Sequence, residues 1–269
     1  MKPPPSSRGA SGLRRPNGAV VSLPRALSKL GFCSRTQAEV LISEGRVRVD
    51  GRIVRDPTTR VDPARARVMV GGERIVAERK VYLMLNKPRG LVTTRDDPQE
   101  RATVYDCLEG LDLPFVVPVG RLDKASEGLL LMTNDTRWAQ RVLDPASNVK
   151  KVYHVQVDRV PNEAMLDRLE AGMVLDGERL VARSARILRT GTRTAWLEVV
   201  LSEGRNRQIR RLLDAVGANV LRLVRIDVGG VRLEDLPRGA ARHLTPAEKG
   251  RLDVPVHAAP GPLRRPRGE

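Results

Sequence analysis

From Val81 to Leu233 the chain is a succession of short runs, rich in Val, Ile and Leu and separated by turn residues: "VYLMLNK", "FVVPV", "GLLLMTND", "KVYHVQV", "AWLEVVL" and "VLRLVRIDVGGVRL". Apolar or β-branched stretches of that length, bounded by Gly, Pro, Asn and Asp, read as strands. Helical patterns interrupt them near Trp138 to Leu143, Glu163 to Ala171 and Arg207 to Val216. Many strands with few, unevenly placed helices predict an α+β domain whose mixed, mostly antiparallel sheet is flanked by helices.

The preceding segment, "SLPRALSKLGFCSRTQAEVLISEGRVRVDGRIV", is punctuated differently. A short helix after Pro24 stops at Gly31, Ser34 and Gln37 have capping-box spacing for a second helix, and that helix stops at Gly45. Leu27 and Leu30 are expected to pack on Val40, Leu41 and Ile42, while Asp50-Gly51 marks a type I′ hairpin. Arg25, Lys29, Arg35, Arg46 and Arg48 lie on or beside these elements, which fits either a solvated charged face or a surface for a polyanion.

Charge bears on that choice. The 269 residues carry a formal net charge of +16, far beyond what solubility asks, so Lys and Arg are available to displace counterions from nucleic acid. An anionic membrane is the weaker alternative, because no apolar run approaches the roughly 20 residues that span a bilayer. The N-terminal "MKPPPSSRGASG" lacks the apolar core of a secretory signal, and Cys33 and Cys107 are isolated from one another, as in a reducing cytoplasm. His154, His243 and His257 form no metal-ligand spacing, and neither a P-loop nor a dinucleotide fingerprint occurs, so no metal and no cofactor are expected.

Three residues outside the basic segment carry potential chemistry. Asp123, between "FVVPVGRL" and a Lys-Ala-Ser-Glu-Gly turn, is either a turn aspartate bonded to its own backbone or a reactive carboxylate. A glycosidase-like pairing with Glu127 is set aside, since sugar grooves are lined by aromatic platforms and only 3% of this chain is aromatic. Tyr153 is a cross-strand core residue or an aromatic with a working hydroxyl. Leu223, read from the pattern alone, fits ordinary core.

Taken together, "GRLDKASEGLLLMTND", "LNKPRGLVTT", "EGRNRQIRRLLDAVG" and "LVRIDVGG" resemble, in content and order, the motifs of the bacterial ribosomal pseudouridine synthases, and Ser22 to Val70 resembles the S4 RNA-binding module found ahead of them. The resemblance covers about Ser22 to Leu252. It implies that Asp123 is the essential carboxylate, that Arg210 is the cation keeping it ionised, and that Tyr153 stacks on a flipped uracil and offers its hydroxyl as a base for the C5 proton. It implies further that Leu223 packs on the target base, that Arg121 fills or braces the vacated stack, and that Arg207 and Arg211 meet RNA phosphates. Arg25, Lys29, Arg35, Arg46 and Arg48 become an RNA-gripping face.

The expected organisation is a disordered basic tail over 1–21, an S4-like domain over 22–70, a linker over 71–80, a pseudouridine synthase domain over 81–253 and a second disordered basic tail over 254–269. The expected activity is isomerisation of uridine to pseudouridine in ribosomal RNA, free or within a pre-ribosomal particle, by a monomeric cytoplasmic enzyme that binds no membrane. The alternative is a non-catalytic RNA-binding or ribosome-assembly protein in which the S4 module does the work.

Overall fold

A computed structural model describes residues 20–95 and 97–253. The tails expected over 1–21 and 254–269 fall outside the described residues except for Val20 and Val21, and Val21 pairs with Val61 in a short antiparallel ribbon. The chain divides between Glu78 and Arg79 into two compact units.

The first unit follows its local signals closely. Helix Leu23–Leu30 ends on Gly31 at φ 85°, a left-handed position where glycine has no Cβ to clash. Helix Arg35–Ser43 opens on a complete capping box, in which Ser34 Oγ accepts from Gln37 N and the Gln37 side chain accepts from Ser34 N. Asp50 and Gly51, both at positive φ, turn strand Val47–Val49 into Arg52–Val54. Leu27, Leu30 and Ile42 share one core with Leu41 at its margin, but Val40 is 53% exposed and does not join them. A helix that meets its core along one stripe cannot bury three consecutive residues. The sheet also runs past the expected limit of residue 70, because Glu73–Arg74 pairs with Val68–Val70.

The second unit is built on a nine-stranded sheet. Its main order is Ser184–Thr190, Ala195–Leu201, Lys151–Val157, Val220–Val228, Glu127–Thr133, Tyr82–Lys87 and Ala241–His243, with Val231–Arg232 and Val117–Pro118 paired to its flanks. Every pairing is antiparallel except that of Val220–Val228 with Glu127–Thr133, so the sheet is mixed and mostly antiparallel. Helices cover both faces. Leu83, Leu85, Leu130 and Met132 point to the side packed by Leu169 of helix Glu163–Ala171 and by Ile209, Leu212 and Leu213 of helix Gln208–Ala215. Met84, Leu129 and Leu131 point to the other side, against Trp138 and Val142 of helix Thr136–Leu143. Strand Glu127–Thr133 is thus buried on both faces, which is why its sequence is a continuous apolar run and not an alternation.

The one parallel pairing has a steric condition. Gly128 sits opposite Arg225 at φ 99°, and a Cβ there would run into the Arg225 backbone. We expect Gly128→Ala to cost roughly 1–3 kcal/mol from backbone strain alone, and more once the strands separate. Gly250→Ala, in open space on a helix, should be neutral or stabilising. Urea unfolding midpoints of the two variants check this, and equal midpoints would contradict it.

Candidate active site

Where strands Glu127–Thr133, Val220–Val228 and Lys151–Val157 meet the loop before Glu127, the chain leaves an open cleft. Arg121, Asp123, Tyr153, Arg207, Arg210 and Leu223, singled out from separate stretches of sequence, all line it.

The loop carrying Asp123 has no regular structure of its own and is held from beneath. Lys87, at the end of strand Tyr82–Lys87, is fully buried, and its ammonium donates to the carbonyls of Pro88 at 3.1 Å, Asp123 at 3.1 Å and Ser126 at 2.8 Å. One cation thereby ties the Lys-Pro-Arg-Gly turn to both ends of the Asp123 loop. Burial pushes the Lys87 amine down to about 8, against the opposing pull of Asp123 and Glu127. A second tether comes from Arg210, whose Nη2 donates to Ala125 O at 3.1 Å and Nη1 to Val220 O at 3.4 Å.

These bonds change the expected partnership. Arg207, at 4.0 Å from Asp123 Oδ2, is the guanidinium nearest the carboxylate, while Arg210 directs its donors to backbone carbonyls and holds the loop. Burial, together with Arg207 and Arg89, pulls the Arg210 guanidinium below its ordinary range, and Asp123 pulls it the other way, so Arg210 acts on the carboxylate through charge and positioning. Arg207 reaches its place through a left-handed backbone, φ 48°, at the N-cap of helix Gln208–Ala215. A non-glycine residue held there is a local strain of the kind found at working sites.

Tyr153 and Leu223 are 8% and 6% exposed, enough for one edge of each to face the cleft while the rest packs into the core. Arg121 is exposed at the rim. Arg211 stands apart from the expectation that it meets phosphate: its guanidinium is taken by Glu178 at 2.6 Å, Asp176 at 3.0 Å and the Leu175 carbonyl at 2.7 Å. It fastens the helix to the hairpin Met173–Leu180, and its charge is already balanced. Glu127 shares the sheet face of Leu129 and Leu131 and lies in a bidentate pair with Arg222 at 2.8 and 2.9 Å. Burial alone would raise its carboxyl, but Arg222, Arg238 and Arg89 hold it below the ordinary range, so it is a structural anion.

Two cleft residues escaped the sequence reading. Arg225, 5% exposed, donates from Nε to Leu129 O at 2.7 Å. Lys151 stands two residues before Tyr153 on the same strand. The available signal was a charged residue inside an apolar strand run, as in "LVRIDVGG" and "KVYHVQV". Plain alternation brings both to the cleft, Lys151 two residues before Tyr153 and Arg225 two after Leu223, while the bulge that puts Val152 opposite Asp227 and Tyr153 opposite Arg225 adds Val228 to the same side. The basic residues of the first unit, Arg25, Lys29, Arg35, Arg46 and Arg48, are at its surface, with Arg46 lying 3.7 Å from Glu44. Among the described residues no helix is long and apolar enough to cross a membrane.

Comparison with known proteins gives consistent matches. Residues 81–215 match the RNA pseudouridylate synthase family and residues 21–65 match the S4 domain. A protein of Bacillus subtilis named ribosomal large subunit pseudouridine synthase B is 34% identical over 86% of this chain and 94% of its own length. An uncharacterised RNA pseudouridine synthase of Rickettsia bellii is 40% identical over 83% of this chain and 96% of its own. A crystal structure of a pseudouridylate synthase superposes with a TM-score of 0.59 at 29% identity, covering 86% of this chain and 99% of that one.

Lys87→Met removes the shared donor from three buried carbonyls, which should cost roughly 1–3 kcal/mol at neutral pH. The folded amine titrates near 8 and an ordinary lysine near 10.5, so between those values the unfolded chain holds the extra proton and stability contributed by this group rises with pH. The deficit of Lys87→Met relative to wild type should therefore widen by roughly 2 kcal/mol between pH 8 and 10. Urea titrations of both proteins across that range test the sign; a deficit that narrows would refute it.

Proposed function

The chain belongs to the RNA pseudouridylate synthase family and isomerises uridine in RNA, and from that premise we propose that its substrate is a single uridine of ribosomal RNA, flipped out of its stack into the cleft against Asp123. The observation that supports this reading is the convergence of Asp123, Arg207, Arg210, Tyr153 and Leu223, from four segments, on one cleft.

The chemistry accounts for each member. The C1′–N1 bond breaks, the uracil turns, a C1′–C5 bond forms, C5 gives up its proton and N1 gains one, with no net change in composition or oxidation state. Asp123 supplies a carboxylate for this, as nucleophile or as base at the ribose, and its side chain is 38% exposed and so accessible to an entering nucleotide. The Arg207 guanidinium faces that carboxylate at 4.0 Å. Tyr153 and Leu223 sandwich the uracil, and the Tyr153 hydroxyl takes the C5 proton. Extruding the base costs a few kcal/mol of stacking, and Arg121, at the rim, occupies the gap. Arg25, Lys29, Arg35, Arg46 and Arg48 hold flanking RNA through phosphates. Arg211, neutralised by Asp176 and Glu178, is not assigned to RNA. The ribosomal target is supported by the name of the Bacillus subtilis relative and by the S4 domain.

Asp123→Asn should lower turnover by at least about 10³-fold while RNA binding and the melting temperature stay close to wild type. Tritium release from C5-labelled uridine in ribosomal RNA measures it, and release at the wild-type rate would overturn the assignment. RNA affinity should also fall steeply with salt, and replacing Arg25, Lys29 and Arg35 with Gln should flatten the slope of log affinity against log salt by roughly one for each phosphate no longer neutralised. An unchanged slope would remove those residues from the RNA interface.

A further inference from the structure

The cations around the cleft are nearly all committed. Arg207 faces Asp123, Arg210 bonds the Ala125 and Val220 carbonyls, and Arg225 bonds Leu129 O. Arg205 is paired with Glu203 and Glu178. Lys151, like Arg210 and Arg225, is bonded to backbone carbonyl and, among the described residues, to no carboxylate, and it is the lysine among these three. It is partly buried, lines the cleft, and makes one hydrogen bond, from Nζ to Val149 O at 3.0 Å; among the described residues no carboxylate lies within 4.0 Å of it. The acid nearest in effect, Glu203, has its oxygens engaged by Gln208 Nε2 at 2.9 Å and Arg205 Nε at 3.2 Å.

An ammonium kept partly out of water without a counter-ion is a net cost to the fold. Such a cost is explained when the missing anion arrives with the substrate. In uridine isomerisation the electron pair of the C1′–N1 bond stays on the base when the bond breaks, so the detached uracil carries a negative charge spread over N1, O2 and O4. The charge exists from the breaking of the C1′–N1 bond until C5 uses that electron pair to bond C1′, after which the C5 proton is lost and N1 gains one. A preorganised donor facing that charge in a low-dielectric cleft accelerates the step that creates it.

We propose that Lys151 is a further catalytic residue, whose ammonium donates a hydrogen bond to the detached uracil and stabilises its negative charge. The inference rests on the reading of the cleft as the uridine site. Lys151 shares its strand face with Tyr153, two residues along, so a uracil lying on Tyr153 presents its edge along the strand toward Lys151. Arg225 is the cross-strand partner of Tyr153 and lines the same cleft, and two cations at one edge of a planar base make that edge the site of negative charge.

Burial, with Arg225 adding and Glu203 opposing, pulls the Lys151 amine down to about 8, so its protonated form is lost just above neutral pH. The other charged or titratable groups facing the cleft are Arg121 and Asp123 from the loop, Arg205 and Arg207 from the segment before the helix, Arg210 on the helix, and Tyr153. Lys87 titrates in the same range but is bonded to three carbonyls beneath the loop and does not line the cleft.

The test is single-turnover tritium release from C5-labelled uridine in ribosomal RNA, as a function of pH, for the full chain and its Lys151→Met, Lys151→Arg and Asp123→Asn variants. We expect Lys151→Met to lower the maximal rate roughly 10²–10³-fold with little change in RNA affinity. Wild type should lose activity as pH rises through about 8, and Lys151→Arg, whose guanidinium keeps its proton, should retain measurable activity without that alkaline limb. Wild-type rates in Lys151→Met would overturn the proposal, as would an alkaline limb unchanged in Lys151→Arg, which would belong to Lys87. Should Lys151→Met fail to give a cooperative melt, the Lys151→Arg profile decides alone. The Asp123→Asn arm separates the two readings: turnover retained there sinks the assignment of the cleft itself, whereas an inactive Asp123→Asn beside a fully active Lys151→Met sinks only the role of Lys151.

Discussion

The buried ammonium of Lys87 is the contact on which the geometry of the cleft depends. A loop without regular hydrogen bonding must otherwise leave its carbonyls to water, and a water-solvated loop does not hold a carboxylate still. Three of those carbonyls, from Pro88, Asp123 and Ser126, converge instead on one cation that is wholly inside the protein. A hydrophobic residue would fill the same volume and satisfy none of them. The arrangement joins the first strand of the second unit to the residue that follows Leu122, so the Asp123 backbone is bonded directly to the sheet.

The sheet in turn is arranged around the parallel neighbours Glu127–Thr133 and Val220–Val228. Their approach requires the absence of a side chain at Gly128 and is reinforced on one face by the Glu127–Arg222 pair. The next strand, Lys151–Val157, is joined across a bulge, and the extra residue on Val220–Val228 gives the cleft both Arg225 and Val228. Further register shifts lie at Gln156/Val157 and at Ile187/Arg189, and the helices on both faces supply burial to the whole sheet.

Charge is sorted by the same geometry. Glu127 and Arg211 both belong to motif-rich stretches, yet each is neutralised by a fixed partner and serves the scaffold. Asp123 and Lys151 lie in comparable stretches and are left half-open or unpaired.

Much of this was legible in the sequence, because the signals are local. A Ser and a Gln three apart cap a helix, an Asp-Gly pair turns a hairpin, and runs such as "KVYHVQV" declare strands whatever surrounds them. The motifs around Asp123, Tyr153, Arg210 and Leu223 likewise named the residues that meet in the cleft. What the sequence by itself determined is therefore the elements and the cast of the site. Only the tertiary structure decided which cation faces Asp123, that Val40 points outward, that Arg211 is held by Asp176 and Glu178, and that among the described residues no carboxylate lies within 4.0 Å of Lys151. Those outcomes depend on distances between side chains from segments far apart in the chain, set by strand register and by where it shifts, and Coulomb and packing energies act through space and not along the sequence.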